Sequence, residues 1–118
     1  MSCIFCQIAE HQQKTELVYE NDRLIAFKDI NPKARVHLLI VFKKHVASVN
    51  ELGKKDEKIV GEMVLTARNL AKEFGVDESG YRLIFNVGRG GGQEVDHLHL
   101  HLLGGGWLNN GQPGFTDK

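Results

Sequence analysis

The sequence predicts an α+β domain built on an antiparallel sheet, and three observations carry the prediction. Short β-prone runs mostly follow one another directly. A single long amphipathic helical pattern interrupts them once. Near the C-terminus, His97-Leu98-His99-Leu100-His101-Leu102-Leu103 alternates strictly, which marks a strand with two chemically different faces.

The elements follow in order after a short N-terminal helix. Leu17 to Glu20 and Arg23 to Lys28 are β-prone runs separated by the turn pair Asn21-Asp22, so they read as a hairpin. Val36 to Phe42 is a third strand, and its nearly continuous apolar run, His37 aside, predicts cover on both faces. From Lys55 to Phe74 the residues Ile59, Val60, Met63, Val64, Ala67, Leu70, Ala71 and Phe74 recur at three- and four-residue steps. That pattern is one amphipathic helix, stopped by Gly75. Tyr81 to Asn86 and Val95 to Leu103 complete a five-stranded sheet, with the glycine-rich 88–93 stretch between them. Residues 104–118 have little periodicity and read as a tail that is mobile or contacts a second copy.

Length and charge set the outer bounds. With 118 residues the chain reads as one domain spanning 1–118. Fifteen Lys and Arg balance fifteen Asp and Glu, so no global field draws it toward nucleic acid or an anionic membrane, and neither is an expected partner. Any phosphate must be caught locally. A hydrophobic content of 42% with 25% charged residues suits a folded protein and not a disordered one. The N-terminal residues carry no signal-peptide pattern, and no apolar run approaches the roughly 20 residues of a membrane span, so a cytoplasmic location is expected. The only two cysteines lie in Cys3-Ile4-Phe5-Cys6. In a reducing compartment such a pair is a redox centre, half a metal site, or two small apolar residues. The redox reading is the weakest, because no strand precedes the pair.

The chemistry concentrates on the alternating strand. Three imidazoles share one face at roughly 6.6 Å spacing, with leucines on the other. Such a row is either a metal platform or a phosphoryl-transfer site with one imidazole as nucleophile. The preceding loop favours phosphate: glycines let backbone amides converge on an anion, and Asn86, Gln93 and Glu94 bracket them. The plain alternative is a wide connection between strands.

The alternating segment matches HφHφHφφ, with φ apolar, the defining motif of the histidine triad (HIT) superfamily. The resemblance covers almost the whole chain. Cys3-Ile4-Phe5-Cys6-Gln7-Ile8 resembles the family's opening helix, Ala26-Phe27-Lys28-Asp29-Ile30-Asn31-Pro32 its second-strand exit, and His37 to His45 its third strand. Gly92-Gln93-Glu94-Val95 and Leu103-Gly104-Gly105 are similar to the Hint branch of nucleoside phosphoramidases.

The resemblance implies a purine nucleoside phosphoramidase of HIT fold that splits the P–N bond of nucleoside 5′-phosphoramidates. His99 would be the nucleophile, forming a nucleotidyl-imidazole intermediate, with His101, His37 and His97 completing the catalytic set. Asn86, Gly92, Gln93 and Glu94 would position the phosphate and Asp29 the ribose. Ile4, Phe5, Ile8, Phe27, Ile30 and Leu39 match the purine slot, although such residues are also ordinary core. A dinucleoside polyphosphate hydrolase or nucleotidyltransferase would use the same His99, and a non-enzymatic nucleotide-binding scaffold would keep only the slot. Catalysis would need no cofactor. Bacterial members that begin with CIFC are similar in a further respect, which implies a structural Zn²⁺ on Cys3, Cys6, His45 and His97. Hint proteins pair as homodimers, and the apolar Met63, Val64, Ala67 and Leu70 suggest more surface than one thin sheet covers. Glu94 and Asp96 depart from the family pattern, where Ser and Tyr are common. A carboxylate beside phosphate repels it unless protonated or turned away.

Overall fold

The structure is a computed structural model that describes residues 3–107. A short helix α1 (Ile4–Ala9) precedes strands β1 (Leu17–Glu20), β2 (Leu24–Lys28) and β3 (Ala34–Phe42). The long helix α2 (Glu57–Glu73) follows, and β4 (Tyr81–Ile84) and β5 (His99–Trp107) close the fold. All pairings are antiparallel and the order is β1-β2-β3-β5-β4, so β3 and β5 lie at the centre. Local chemistry explains the boundaries. The Asn21 side-chain oxygen accepts from the Arg23 and Leu24 amides at 2.8 Å, closing the β1–β2 turn. The buried Asp56 carboxylate accepts from the Gly53 amide at 2.8 Å just ahead of α2. Gly75, at φ 76°, ends that helix.

Alternation along the strands divides the sheet into two faces. Leu24, Ala26, Leu38, Ile40, Leu98, Leu100 and Leu102 pack against Ile59, Met63, Ala67 and Leu70 of α2. Ile25, Phe27, Leu39 and Val41 point the other way and meet Phe5 and Ile8 of α1. β3 is therefore covered on both faces, as its apolar run predicts. Because α1 is a single short helix, it covers only part of its face, and the remainder is open to form a site.

Pairing of β5 begins at His99, not Val95, since residues 93–98 are held by irregular bonds such as the Leu98 amide to the Val46 carbonyl at 2.7 Å. The strand then continues through Gly104 to Trp107, pairing with β3 and β4, where the sequence suggested a tail. Gly104 suits a close approach: a Cβ there would lie 3.1 Å from Val76 and Tyr81, tight enough to push them aside. Residues 108–118, the rest of that tail, lie outside the described residues. On α2 the expected excess of apolar surface is mostly absent. Met63, Ala67 and Leu70 are buried against the chain's own sheet, leaving Val64 and Leu65 as its exposed apolar side chains. Among the described residues no helix is long and apolar enough to cross a membrane.

Candidate active site

Register places the site. Phe27, Leu39, His101 and Ile84 stand in one row across four strands, and Ile25, Val41 and His99 in the next. Above them is a cavity of about 510 Å³. One end is apolar, walled by Ile4, Phe5 and Ile8 of α1 with Phe27, Leu39 and Ile30. Phe5 is packed edge-on to Phe27 and to His99, with ring centres 5.6 and 5.0 Å away. Phe27 and Leu39 serve as core and wall together, whereas Ile30 is 85% exposed at the rim and has no core role. The other end is polar and lined by His99, His101, His37, Asp29, Asn86 and Glu94.

Five imidazoles run in a line, His45, His97, His99, His101 and His37, with successive ring contacts at 4.8 to 5.3 Å broken only between His97 and His99, where Phe5 touches both. Their neighbours decide which nitrogen holds the proton. His99 Nδ1 is 2.6 Å from the His97 carbonyl, which can only accept, so Nδ1 carries the hydrogen and Nε2 keeps its lone pair. The Lys33 backbone amide donates to His37 Nδ1 at 3.0 Å, which puts the His37 proton on Nε2. That N–H lies 3.0 Å from His101 Nδ1 and 3.3 Å from Asp29 Oδ2. His101 Nδ1 is thereby an acceptor, and its Nε2–H is a donor. The cavity thus holds a nucleophilic nitrogen on His99 beside a donor on His101. Lys33 was not legible as a site residue, because its contribution is a backbone amide.

Burial, above all, lowers the proton affinity of His37, His97 and His99 below the ordinary imidazole value. His101 is pushed down to about 4 by burial and then by the neighbouring His99 and His37. These lowered affinities favour the uncharged form of His37, His97, His99 and His101 near neutral pH, which leaves imidazole lone pairs available for attack.

The glycine-rich loop differs from expectation. The amides of Gly91 and Gln93 donate to the Gly88 carbonyl, and that of Gly92 to Arg89, at 3.0 to 3.1 Å. Those three amides are spent within the loop, so they form no anion nest. Positive φ at Gly88 (71°) and Gly92 (87°) permits this tight turn. The Gln93 side chain is buried and braces the loop through the Gly88 amide and the Ala47 and Val95 carbonyls. Gly92 and Glu94 line the cavity, and Gln93 does not. Asp96 forms a two-pronged pair with Arg89 at 2.9 and 3.1 Å, clasping the loop from outside.

His97 also departs from the catalytic set. Its ring is fully buried, is not part of the cavity wall, and turns toward the cysteines. Nδ1 lies 3.3 Å from Cys3 Sγ, 3.5 Å from Cys6 Sγ and 3.1 Å from His45 Nδ1, while Cys6 Sγ is 3.2 Å from His45 Nδ1. All four donor atoms lie within 4.8 Å of one another. A tetrahedral zinc needs sulfur–nitrogen edges of about 3.6 Å and nitrogen–nitrogen edges of about 3.3 Å, given its usual bond lengths. The donor set fits. His97 Nε2 donates to the Phe42 carbonyl at 2.6 Å, which leaves its Nδ1 lone pair directed at the cluster. A second group, Asp29, His37 and His101, is as close-knit. It does not fit a metal, because the Lys33 amide keeps a hydrogen on the His37 nitrogen that would have to bind.

The fold and site define a protein of the histidine triad class. The sequence model described as scavenger mRNA decapping enzyme C-term binding matches residues 2–110. A purine nucleoside phosphoramidase of Escherichia coli (strain K12) is 42% identical over 102 residues, 86% of each chain. A HIT family hydrolase from Legionella pneumophila superposes with a TM-score of 0.88 at 45% identity, covering 92% of this chain and 97% of that one. A histidine triad protein from Clostridium difficile gives 0.88 at 46% identity, covering 95% and 97%. The chain belongs to the histidine triad superfamily.

Proposed function

We propose that this protein is a Hint-type purine nucleoside phosphoramidase. The observation that carries the reading is the His99 ring, whose Nδ1–H is fixed on the His97 carbonyl so that Nε2 is a lone pair beside the His101 donor. The phosphoramidase named among its relatives supports it. The purine would lie between Ile4, Phe5, Ile8, Phe27, Ile30 and Leu39, its ribose hydroxyls would donate to Asp29, and Asn86 with the Gly92–Glu94 turn would flank the phosphate. Gln93 serves by bracing that turn.

In this mechanism His99 Nε2 attacks the α-phosphorus and the P–N bond breaks. A negative phosphoryl group against His101 favours that ring's charged form, and the imidazolium protonates the departing nitrogen. Water then attacks the nucleotidyl-imidazole, giving up a proton to the now neutral His101, and the nucleoside monophosphate leaves with His99 restored. Cys3, Cys6, His45 and His97 would hold a structural zinc, a clamp apart from the reacting atoms. His99 and His101 then remain free for phosphate. The working unit is a single domain over 1–118, cytoplasmic and homodimeric, with Val64, Leu65 and the edge strand β4 available for pairing.

Parallel assays with adenosine 5′-phosphoramidate and a diadenosine polyphosphate test the reading. Faster release of AMP from the phosphoramidate supports it, and preference for the polyphosphate would replace it with the hydrolase alternative. Light scattering at micromolar concentration tests the dimer.

A further inference from the structure

Helix α1 joins two sites that chemistry would treat as separate. Cys3 and Cys6, three residues apart, point toward His45 and His97, while Ile4, Phe5 and Ile8 wall the apolar end of the cavity. The helix has six residues, far short of the length at which an isolated helix persists in water. No side chain caps its start and no acidic residue stands in its first turn. Besides Phe5, Ile8 and Ala9, which pack against the sheet, and the His11–Glu20 contact just beyond its end, the thiols tie it down through His45 and His97.

We propose that metal binding at the Cys3–Cys6–His45–His97 cluster and purine binding in the cavity are coupled through α1, each strengthening the other. The inference rests on the nucleotide reading of the cavity. Joining four donors fixes the side of α1 that bears the thiols, which sets the opposite side at the distance a base requires. A base held against Ile4, Phe5 and Ile8 in turn holds the thiols in place. The phosphate end does not share this dependence. His97 is also held by the Phe42 carbonyl, at 2.6 Å, so its own carbonyl stays in place for His99 when the thiols let go. Cys3, Cys6 and His45 are therefore positioning residues for the base and leave the reacting atoms alone.

Linkage makes the coupling reciprocal, with a factor of about 10 expected within the range common for coupled sites. The test uses the full chain, zinc-loaded or stripped by a chelator, with AMP and inorganic phosphate as probes in titration calorimetry. Stripped protein should bind AMP about tenfold more weakly and phosphate within about twofold of the loaded protein. In turnover the loss should fall on KM and spare kcat. His45→Ala should reproduce the stripped behaviour, with a retained circular-dichroism spectrum. If stripping unfolds the chain, a second measurement on the loaded protein remains decisive. Zinc affinity, read by competition with a chromogenic chelator, should rise by the same factor with saturating AMP and not with phosphate. Equal AMP affinity in loaded and stripped protein, or zinc affinity indifferent to AMP, overturns the coupling alone. Loaded protein that binds no AMP overturns the nucleotide reading and the coupling with it.

Discussion

The two ends of the imidazole line use one residue type for opposite purposes. His45 and His97 turn Nδ1 toward two sulfurs, while His99, His101 and His37 are set by a carbonyl, a backbone amide and one another. Burial depresses the proton affinity of His97 and His99 alike, so burial does not distinguish the ends. The distinction lies in what each ring's second nitrogen touches. A carbonyl on Nδ1 leaves His99 a lone pair on Nε2, and a carbonyl on Nε2 leaves His97 a lone pair on Nδ1.

The largest expected effect breaks that comparison at the reactive end. His99→Ala should lower kcat by at least about 10³-fold, with AMP affinity kept within a few-fold, whereas Cys6→Ser at the other end should leave kcat within about threefold. Single-turnover kinetics with calorimetry reads both, and equal losses of kcat would erase the distinction. Next, Asp29→Ala should weaken AMP binding roughly tenfold while sparing inorganic phosphate, because it removes the acceptor for the ribose and not the groups around phosphorus.

A smaller effect sharpens the comparison through pH. His101 faces His99, His37, Asp29 and Lys33, and its folded value of about 4 lies below the ordinary imidazole value. Between about pH 6.5 and 4 the unfolded chain binds the extra proton and the folded chain does not, so stability rises with pH across that window and is lost on acidification. Thermal melts should show a fall of roughly 5 °C or more over this range, with a shallower slope in His101→Asn. An unchanged slope in the variant would mean that His101 carries no part of it. The smallest effect belongs to the loop clasp. Both side chains of the Arg89–Asp96 pair are about two-thirds exposed, so Asp96→Ala should cost about 0.5 kcal/mol or less by denaturant titration.

Legibility in the sequence followed the physics of side chains. The α2 stripe, both covered faces of β3 and the histidine row were readable because burial imposes a period on residue type. The run of β5 from Gly104 to Trp107 was not, since glycine disfavours strands in isolation and only cross-strand pairing and the close approach of Val76 and Tyr81 select it. At the site, Cys3, Cys6, His45 and His97 were brought together as the resemblance implied, whereas the loop amides were not free as glycine content suggested. A sequence shows which amides exist and not which are already bonded. The same holds for tautomers, which here depend on the carbonyls of Phe42 and His97 and the amide of Lys33.

Position 97 works through two different parts of one residue. Its ring belongs to the thiol cluster, and its main-chain oxygen orients His99. Every amino acid brings that oxygen, so a saturation library at this position would erase the ring's job and leave the oxygen's job intact. Fitness scores would describe position 97 as a stability site, silent on chemistry. In the proposed mechanism its share would become visible only when the backbone itself is edited, by a thioamide at residue 97 that swaps the oxygen for a weaker acceptor.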